Sequence, residues 1–282
     1  MKILAIVVTY YPEKDLLISN INAFLDDVDR VLVWENTPCE EKCKYRFIEH
    51  EKVNYCGDGN NSISRALNYA WRYAKENDYN YILTMDQDSI LYNFKAMKNY
   101  AINHLYEKII IGPYLETYNT VLHPSISNKS SCAVKVESLI TSGTLIYVEV
   151  LDVVNGYDDN LVIDGIDTDL CLRSNLHSIY SYQIPNCSLI QRFGEPKIGH
   201  FMGKRHLYSS YSPVRLMGIL RSHIYLMRKY KSMSFEMRKY IIQHYIINKL
   251  FEIILFEDHK VAKVSAMLNG IYQGFRIKYE ME

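Results

Sequence analysis

The sequence predicts an α/β fold in which a doubly wound, mostly parallel central sheet is flanked by helices and followed by a C-terminal helical extension. Three observations support this prediction. Nearly continuous apolar runs of strand length recur in the first part of the chain, segments with helical periodicity separate them, and the chain after residue 213 is mostly helical in pattern. Continuous apolar runs are typical of strands that are covered on both faces, as in a parallel sheet.

The first elements form a strand, helix, strand unit. Residues 2–10 are a nearly continuous apolar run, residues 13–24 have apolar side chains at helical spacing, and residues 30–34 form a second apolar run. Because parallel strands need a long crossover, this order predicts a parallel βαβ unit. A helix over residues 62–75 followed by a strand over residues 81–85 repeats the pattern.

The middle of the chain mixes short strands, predicted at residues 109–112, 139–148 and 179–184, with a helix at residues 167–176. The glycines and the proline of residues 194–203 predict an irregular loop. Further on, a helical stripe is predicted to pack on its own domain, with docking on a membrane surface or a partner as the alternative. Its members are Ile242, Tyr245, Ile246, Lys249, Leu250, Ile253 and Ile254, with Gln243, Asn248 and Glu252 on other faces.

Composition limits the class of protein. The 282 residues are 48% hydrophobic and 23% charged, which excludes a disordered chain and fits one large domain or a domain with an appendage. The sequence contains no run of about 18 uncharged apolar residues, so we expect no membrane-spanning segment. The six cysteines form no CxxC pair, so we expect free thiols in a reducing cytoplasm and no zinc site, and the N-terminal residues do not resemble a signal peptide.

Charge is unevenly distributed along the chain. Residues 190–282 contain 16 Lys and Arg against 7 Asp and Glu, whereas residues 1–189 contain 16 against 25. This polarity predicts a cation-binding, carboxylate-lined site in the first part and contact with anions in the second, either phosphates or a membrane surface. A solvated basic face is the alternative for the second part.

Two aspartates follow the predicted strand at residues 81–85. Because strand side chains alternate, Asp86 and Asp88 would point the same way at the carboxyl end of the strand and could share a cation. Their hard oxygens suit Mg²⁺ or Mn²⁺, which accepts phosphate oxygens at its remaining positions. A solvated acidic turn is the alternative, and the position after a buried strand of a parallel sheet argues against it.

A second acidic cluster and a glycine loop complete the candidate site. Asp164, Asp167 and Asp169 lie within six residues, where they act either as a helix cap or through a cation or a proton transfer. Gly57 and Gly59 precede a predicted helix and make a place for a nucleotide or its phosphates, with a plain turn as the alternative. The loop lacks the GxGxxG pattern of dehydrogenases.

Taken together, the motifs resemble family 2 glycosyltransferases with the GT-A fold, and most closely the rhamnosyltransferase-like branch that builds bacterial surface polysaccharides. The match covers nearly the whole chain. The matching segments, in order, are VVTYYP (7–12), WENT (34–37), GNN (59–61), ALN (66–68), LTMDQDS (83–89), TSG (141–143), DGIDTDLCLR (164–173), SPVR (212–215) with Arg221, and NGIYQG (269–274).

The resemblance implies roles for individual residues. Asp86 and Asp88 would bind the diphosphate of the donor through Mg²⁺ or Mn²⁺, and Asp167 would be the general base that deprotonates the acceptor hydroxyl. The residues implied in donor binding are Thr9, Tyr11, Glu35, Asn61, Asp86, Asp88, Arg215 and Arg221. Those implied on the acceptor side or in support are Ser142, Gly143, Asp164 and Asp169. Residues 1–205 would form the nucleotide-sugar-binding and catalytic GT-A domain, with helical residues 206–282 packed on it.

Three positions depart from the family pattern. Glu35 replaces the usual Asp, Ile166 stands where many members have Glu before the base, and Gln191 stands where the family often has a metal-binding His. His200 or His206 could supply the missing ligand.

The function implied is inverting transfer of a sugar, rhamnose being one candidate, from a dTDP- or UDP-linked donor to a glycan or lipid-linked acceptor. We expect this in the cytoplasm, with peripheral contact at the inner face of the membrane as an option, and we expect no nucleic acid partner. The alternatives are a sugar nucleotidyltransferase, for which the N-terminal basic glycine loop is missing, and a catalytically idle polysaccharide-binding protein.

Overall fold

The computed structural model describes residues 1–38, 40–57, 59, 62–105, 107–117, 132–191, 195–231 and 233–279. The chain divides into two compact units. The first comprises residues 1–159 and 166–192, and the second comprises residues 160–165 and 193–282. The sequence predicted a single division after residue 205. The structure differs, because the segment 160–165, which contains Asp164, belongs to the second unit although the residues before and after it belong to the first. Packing of the second unit on the first stays a prediction.

The first unit contains a nine-stranded sheet within the described residues, ordered β3-β2-β1-β4-β8-β6-β9-β5, with β7 paired to β9. The strands are β1 (Ile3–Thr9), β2 (Arg30–Glu35), β3 (Val53–Cys56), β4 (Tyr81–Asp86), β5 (Ile90–Tyr92), β6 (Ile110–Thr117), β7 (Val134–Val136), β8 (Thr144–Tyr147) and β9 (Ser181–Gln191). The helices are α1 (Lys14–Asn22), α2 (Ile63–Glu76), α3 (Phe94–Asn103), α4 (Val148–Val153) and α5 (Ile166–Leu176).

The predicted fold class is confirmed, and the parallel pairing is concentrated on one side of the sheet. Strands β3, β2, β1 and β4 are parallel neighbours, whereas β8 runs antiparallel to both β4 and β6. The apolar runs of β1 and β4 are buried almost throughout, as expected for strands covered on both faces. The predicted strand at 139–148 is reduced to β8, and β9 extends beyond the predicted residue 184 to Gln191.

The second unit contains a hairpin and four α-helices in its described residues. The strands are β10 (Glu195–Phe201) and β11 (Lys204–Ser210), and the helices are α6 (Pro213–Lys229), α7 (Phe235–Ile241), α8 (Lys249–Phe256) and α9 (Lys260–Arg276). A π-helical segment, Ile242–Asn248, connects α7 to α8. The predicted irregular loop at 194–203 is therefore wrong in its described part. Met202 and Gly203 both have positive φ, at 48° and 75°, and close a two-residue turn between antiparallel strands.

Close approach of two helices explains the NGIYQG segment. A Cβ added to Gly274 of α9 would lie 2.7 Å from the carbonyl oxygen of Arg221 in α6, so only glycine allows the two helix backbones to approach there. Leu216 and Leu220 of α6 pack with Met267 of α9 and Ile253 of α8 in the core of this unit. The predicted stripe is only partly buried, because Lys249 and Ile253 are buried while Ile242 and Ile254 are exposed.

Candidate active site

The turn after β4 is held at the carboxyl edge of the sheet. Asp86 is the last residue of β4, and the buried Asn20 amide donates to the carbonyl oxygens of Asp86, at 2.8 Å, and of Ser89. The Gln87 side chain accepts a hydrogen bond from the Tyr10 N–H at 2.6 Å and donates to the Tyr10 carbonyl at 3.1 Å. These contacts fix the backbone on either side of Asp86 and Asp88, whose side chains are half-buried.

Gln191 contacts the first of the two aspartates. Its amide nitrogen donates to the Asp86 carboxylate at 2.8 Å, across the sheet from the end of β9. Its amide oxygen is buried and has no hydrogen-bond partner in the described residues. Buried polar atoms normally have a partner, so an unsatisfied oxygen beside a carboxylate is a feature of a ligand site.

The group that the resemblance implies, Mg²⁺ or Mn²⁺, fits this chemistry. In the described part of the chain, no three His, Cys, Asp or Glu side chains come together to hold a metal ion. The Asp86 carboxylate and the Gln191 amide lie together, and Asp88 follows Asp86 by two residues, so the three side chains offer only oxygen donors to a cation. Such a cation usually keeps several waters and phosphate oxygens as its other ligands. Asp86, Asp88 and Gln191 are therefore the residues that would hold it.

The TSG segment lies against the end of β4. The Ser142 hydroxyl accepts a hydrogen bond from the Asp86 N–H at 3.1 Å, and the Gly143 N–H donates to the Thr84 carbonyl at 2.7 Å. Gly143 has φ of 79°, and a Cβ there would lie 2.9 Å from the ring of Pro113. Ser142 and Gly143 therefore support the position of Asp86 through the backbone.

The three aspartates of the second cluster have different surroundings. Asp169 is fully buried and pairs with Arg173, whose nitrogens lie 2.6 and 2.8 Å from one carboxylate oxygen. Asp167 is the second residue of α5, and its carboxylate accepts the Thr168 N–H at 2.7 Å. It lines a small cavity together with Thr84, which lies two residues before Asp86. Asp164 belongs to the second unit and lies 3.7 Å from the buried His223.

The two aspartates of the first unit thus differ in their surroundings. Asp169 is engaged in an ion pair inside the first unit, so its position fits the supporting role. Asp167 is half-buried beside a cavity. The neighbouring Cys171 thiol is not a competing nucleophile, because burial raises its pKa.

The residues implied in nucleoside binding are only partly accessible. Thr9 is buried and its hydroxyl donates to the Trp34 carbonyl at 3.2 Å. Glu35 is buried and is held by two hydrogen bonds from Arg46, at 2.8 and 3.1 Å. Tyr11 has φ of 45°, and its exposed ring packs edge-on against Tyr45 at 5.8 Å. Asn61 lies outside the described residues.

Sequence reasoning missed Arg46 and Tyr45, and it gave Asn68 of the ALN motif no individual role. A charged residue at the end of a buried strand needs a partner of opposite charge. Glu35 was therefore the sequence signal for a nearby cation, which is Arg46. Asn68 uses its amide to donate to the Tyr157 carbonyl at 2.9 Å and to accept the Tyr157 N–H at 2.7 Å, so the ALN motif has a structural use.

The remaining predicted residues lie in the second unit. Arg215 is exposed, with its guanidinium 5.3 Å from the ring centroid of Tyr211, and Arg221 is half-buried on α6. His200 is exposed on β10, and His206 stacks on Phe256 and lies 3.5 Å from Glu252. The roles of both arginines stay predictions. Among the described residues, no helix is long and apolar enough to cross a membrane.

The fold is that of a GT-A glycosyltransferase-like protein. Among solved structures, the chain is similar to GalNAc-T7, crystallised with UDP, GalNAc and Mn²⁺, with a TM-score of 0.60, 9% identity and coverage of 89% of this chain. The chain spans 57% of that protein's length. At this identity the similarity concerns the fold alone.

Sequence similarity defines the protein more narrowly. The chain is 28% identical over 247 residues to the dTDP-rhamnosyl transferase RfbF of Shigella flexneri. The aligned region covers 80% of this chain and 80% of that protein. No family model matches the chain. The chain thus resembles family 2 glycosyltransferases of the rhamnosyltransferase-like branch and has the GT-A fold, as the sequence motifs predicted.

Proposed function

We propose that this protein is an inverting glycosyltransferase that moves a sugar from a nucleoside diphosphate to a glycan or lipid-linked acceptor in bacterial surface polysaccharide synthesis. The observation that supports it most directly is the contact of Gln191 with Asp86 at the carboxyl end of β4, which leaves a buried amide oxygen beside a carboxylate. The similarity to a dTDP-rhamnosyl transferase supports a dTDP-linked donor and rhamnose as the sugar, and a UDP-linked donor is the alternative.

The residues divide the chemistry between binding and proton transfer. Asp86, Asp88 and Gln191 would hold Mg²⁺ or Mn²⁺, which, when bound, neutralises charge on the departing diphosphate. Asp167 accepts the proton of the acceptor hydroxyl at its carboxylate as the hydroxyl oxygen attacks the anomeric carbon. The glycosidic bond forms as the bond to the diphosphate breaks, and attack opposite the leaving group inverts the anomeric centre.

The role of Asp167 is tested by substitution. Asp167→Asn keeps the shape and removes the proton acceptor, so we expect turnover to fall by about 100-fold or more while donor binding is retained. Nucleoside diphosphate release from dTDP-rhamnose and UDP-sugars with Mn²⁺ measures turnover, and calorimetry measures binding.

Asp15→Asn, an exposed acidic position on α1, is the matched control and should behave as the parent protein. Turnover of Asp167→Asn near the parental rate would refute the assignment of the base. Absence of nucleotide release by the parent protein from every donor would favour the non-catalytic alternative.

We also propose that the protein contacts the inner face of the cell membrane through its hairpin. Apolar side chains at the turn between β10 and β11 are exposed, Met202 to 85%, and basic side chains flank them. Such a combination suits an anionic lipid surface. The residues are Lys197, Ile198, Phe201, Met202, Lys204 and Arg205.

Sedimentation with phosphatidylcholine vesicles, with and without phosphatidylglycerol, measures this contact. We expect binding to the anionic vesicles alone and its loss in a Met202→Ser, Lys204→Glu variant. Equal sedimentation of the parent protein and the variant would contradict the proposal.

A further inference from the structure

A buried asparagine of α1 holds the turn that carries the two aspartates of the proposed cation site. Asn20 is 0% exposed, and its amide nitrogen donates to the carbonyl oxygen of Asp86 at 2.8 Å and to that of Ser89. The residue lies outside the sequence motifs described above. Both bonds end on backbone oxygens, so Asn20 acts on the turn and not on a bound ligand.

Asn20 is a polar residue on the apolar face of its helix. The buried residues of α1 are Leu17, Asn20 and Ile21, whose spacing of three and four places them on one face. The amide oxygen of Asn20 is also buried and has no hydrogen-bond partner in the part of the chain that the structure describes. Burying a polar atom in this way costs free energy, so packing alone does not explain an asparagine here. Its use is the pair of bonds that its nitrogen donates.

The turn needs support because the sheet ends before it. Asp86 is the last residue of β4 and the last in register with β1, so the strand ladder does not extend to Asp88. Asp86 and Ser89 are three residues apart and enclose Asp88, so one side-chain amide holds both ends of the turn. Between them, the Gln87 side chain is bonded to the Tyr10 N–H and carbonyl at 2.6 and 3.1 Å. The backbone of Asp88 is therefore fixed from α1 and from the end of β1.

Two carboxylates that share a cation must be held close together before the cation binds. Their charges repel each other, and a turn without support would let them move apart. A turn fixed by hydrogen bonds keeps both carboxylates in place, so less ordering accompanies binding. Residues that orient metal ligands without touching the metal typically change metal affinity by about 10- to 100-fold when they are substituted.

We propose that Asn20 is a positioning residue of the cation site. Its two hydrogen bonds set the separation of the Asp86 and Asp88 carboxylates and thereby the affinity for Mg²⁺ or Mn²⁺. This inference rests on the proposed function, which requires the cation. It adds α1 to the elements that build the site, although none of the residues implied by the motifs lies on that helix.

The test measures Mn²⁺ binding by electron paramagnetic resonance, with the full chain and saturating dTDP or UDP. We expect Asn20→Ala to weaken Mn²⁺ binding about tenfold or more. Calorimetry should show unchanged affinity for the same nucleotides without a cation. Asn20→Asp keeps the volume of the side chain and removes the donor, so it tests the same loss without creating a cavity. Thermal unfolding shows whether each variant is folded at the temperature of the titration.

Asn68→Ala is the matched control. Asn68 is also a buried asparagine of the first unit, and its amide donates to the Tyr157 carbonyl at 2.9 Å. Its loss should lower the unfolding temperature and leave Mn²⁺ binding unchanged. Parental Mn²⁺ affinity in the folded Asn20 variants, or an equal loss of affinity in Asn68→Ala, would overturn the inference alone. Absence of Mn²⁺ binding by the parent protein with either nucleotide would instead count against the proposed function and this inference together.

Discussion

Gln191 lies at the end of β9, where its amide nitrogen meets the Asp86 carboxylate across the sheet. From the sequence, this residue was a departure that left a metal ligand missing. In the structure its amide oxygen is buried and available beside the aspartate. A carbonyl oxygen is an ordinary ligand of Mg²⁺ and Mn²⁺, so the substitution exchanges an imidazole for an oxygen donor and keeps a third protein ligand for the proposed site.

Asp88→Ala tests the proposed cation site at its second carboxylate. We expect the variant to lose the increase in nucleotide affinity that Mn²⁺ produces, because one hard anionic ligand is removed. Calorimetric titration of dTDP and UDP with and without Mn²⁺ measures the difference. Asp15→Ala, at an exposed position on α1, is the control, and an unchanged Mn²⁺ effect in Asp88→Ala would contradict the role of Asp88.

Other single residues show which properties the sequence motifs did not predict. Thr9 and Glu35 lie at the predicted strand ends, but both are buried in the structure, and the Glu35 carboxylate pairs with Arg46. The pairing of Glu35 depends on Arg46, which lies in a part of the chain with no periodic pattern. The position of each residue along the chain was therefore predictable, whereas its accessibility was not.

The TSG segment directly precedes β8 and makes hydrogen bonds to the end of β4. The sequence predicted a strand over residues 139–148, yet only Thr144–Tyr147 is a strand because Gly143 turns the backbone through a positive φ. This turn brings Ser142 to the Asp86 N–H. Any side chain at residue 143 would meet both a strained φ and the Pro113 ring.

Gly143→Ala should therefore lower the free energy of unfolding of the first unit by about 3 kcal/mol, combining left-handed strain with overpacking. Gly112→Ala is the control: its φ is not positive and its new Cβ would meet the movable end of the Leu139 side chain, so we expect a loss of about 1 kcal/mol. Both tryptophans, Trp34 and Trp71, lie in this unit, so their fluorescence in urea measures it. Equal losses in the two variants would contradict this account.

The hairpin of β10 and β11 shows why an element can be missed. Taken one at a time, its glycines predict interruptions of regular structure. Gly203 instead occupies a turn position that needs a positive φ, and a Cβ at Gly199 would meet the Phe256 ring. Strand pairing is a non-local contact, so the sequence of one strand does not reveal it.

The molecule as a whole consists of two units whose boundary does not follow the chain in a simple way. Residues 160–165 belong to the second unit and residues 166–192 to the first. The acidic motif therefore contributes Asp164 to one unit and Asp167 with Asp169 to the other. One continuous motif thus supplies residues to both units.

A network of buried charges stabilises the second unit. Glu257 pairs with Lys263 and lies 3.6 Å from Lys249, and it accepts the Ser210 hydroxyl at 2.7 Å. Burial acts to raise the pKa of Glu257, but the hydrogen bonds from Lys263 and Ser210 and the lysine charges lower it overall. The stability that it contributes is present above the pKa of an unfolded Glu, about 4.3, and is lost as the pH falls through the lower pKa of the folded state.

Glu257→Gln should therefore lower the stability of this unit by about 3 kcal/mol at pH 7, because two lysines lose a buried partner. The difference from the parent protein should shrink as the pH falls below about 4. Scanning calorimetry between pH 3 and 7 measures both effects, with the exposed Glu236→Gln as control. A difference that stays constant across this range would contradict the linkage.

Local information was enough to predict the apolar strands, the helices between them, the order of the motifs and the aspartates at the end of β4, because periodicity and strand ends depend on short stretches of chain. Only the tertiary structure decided that Gln191 contacts Asp86, that Arg46 pairs with Glu35, and that Asp164 and Asp167 lie in different units. These outcomes depend on contacts between residues far apart in the sequence, whose energies no single segment contains.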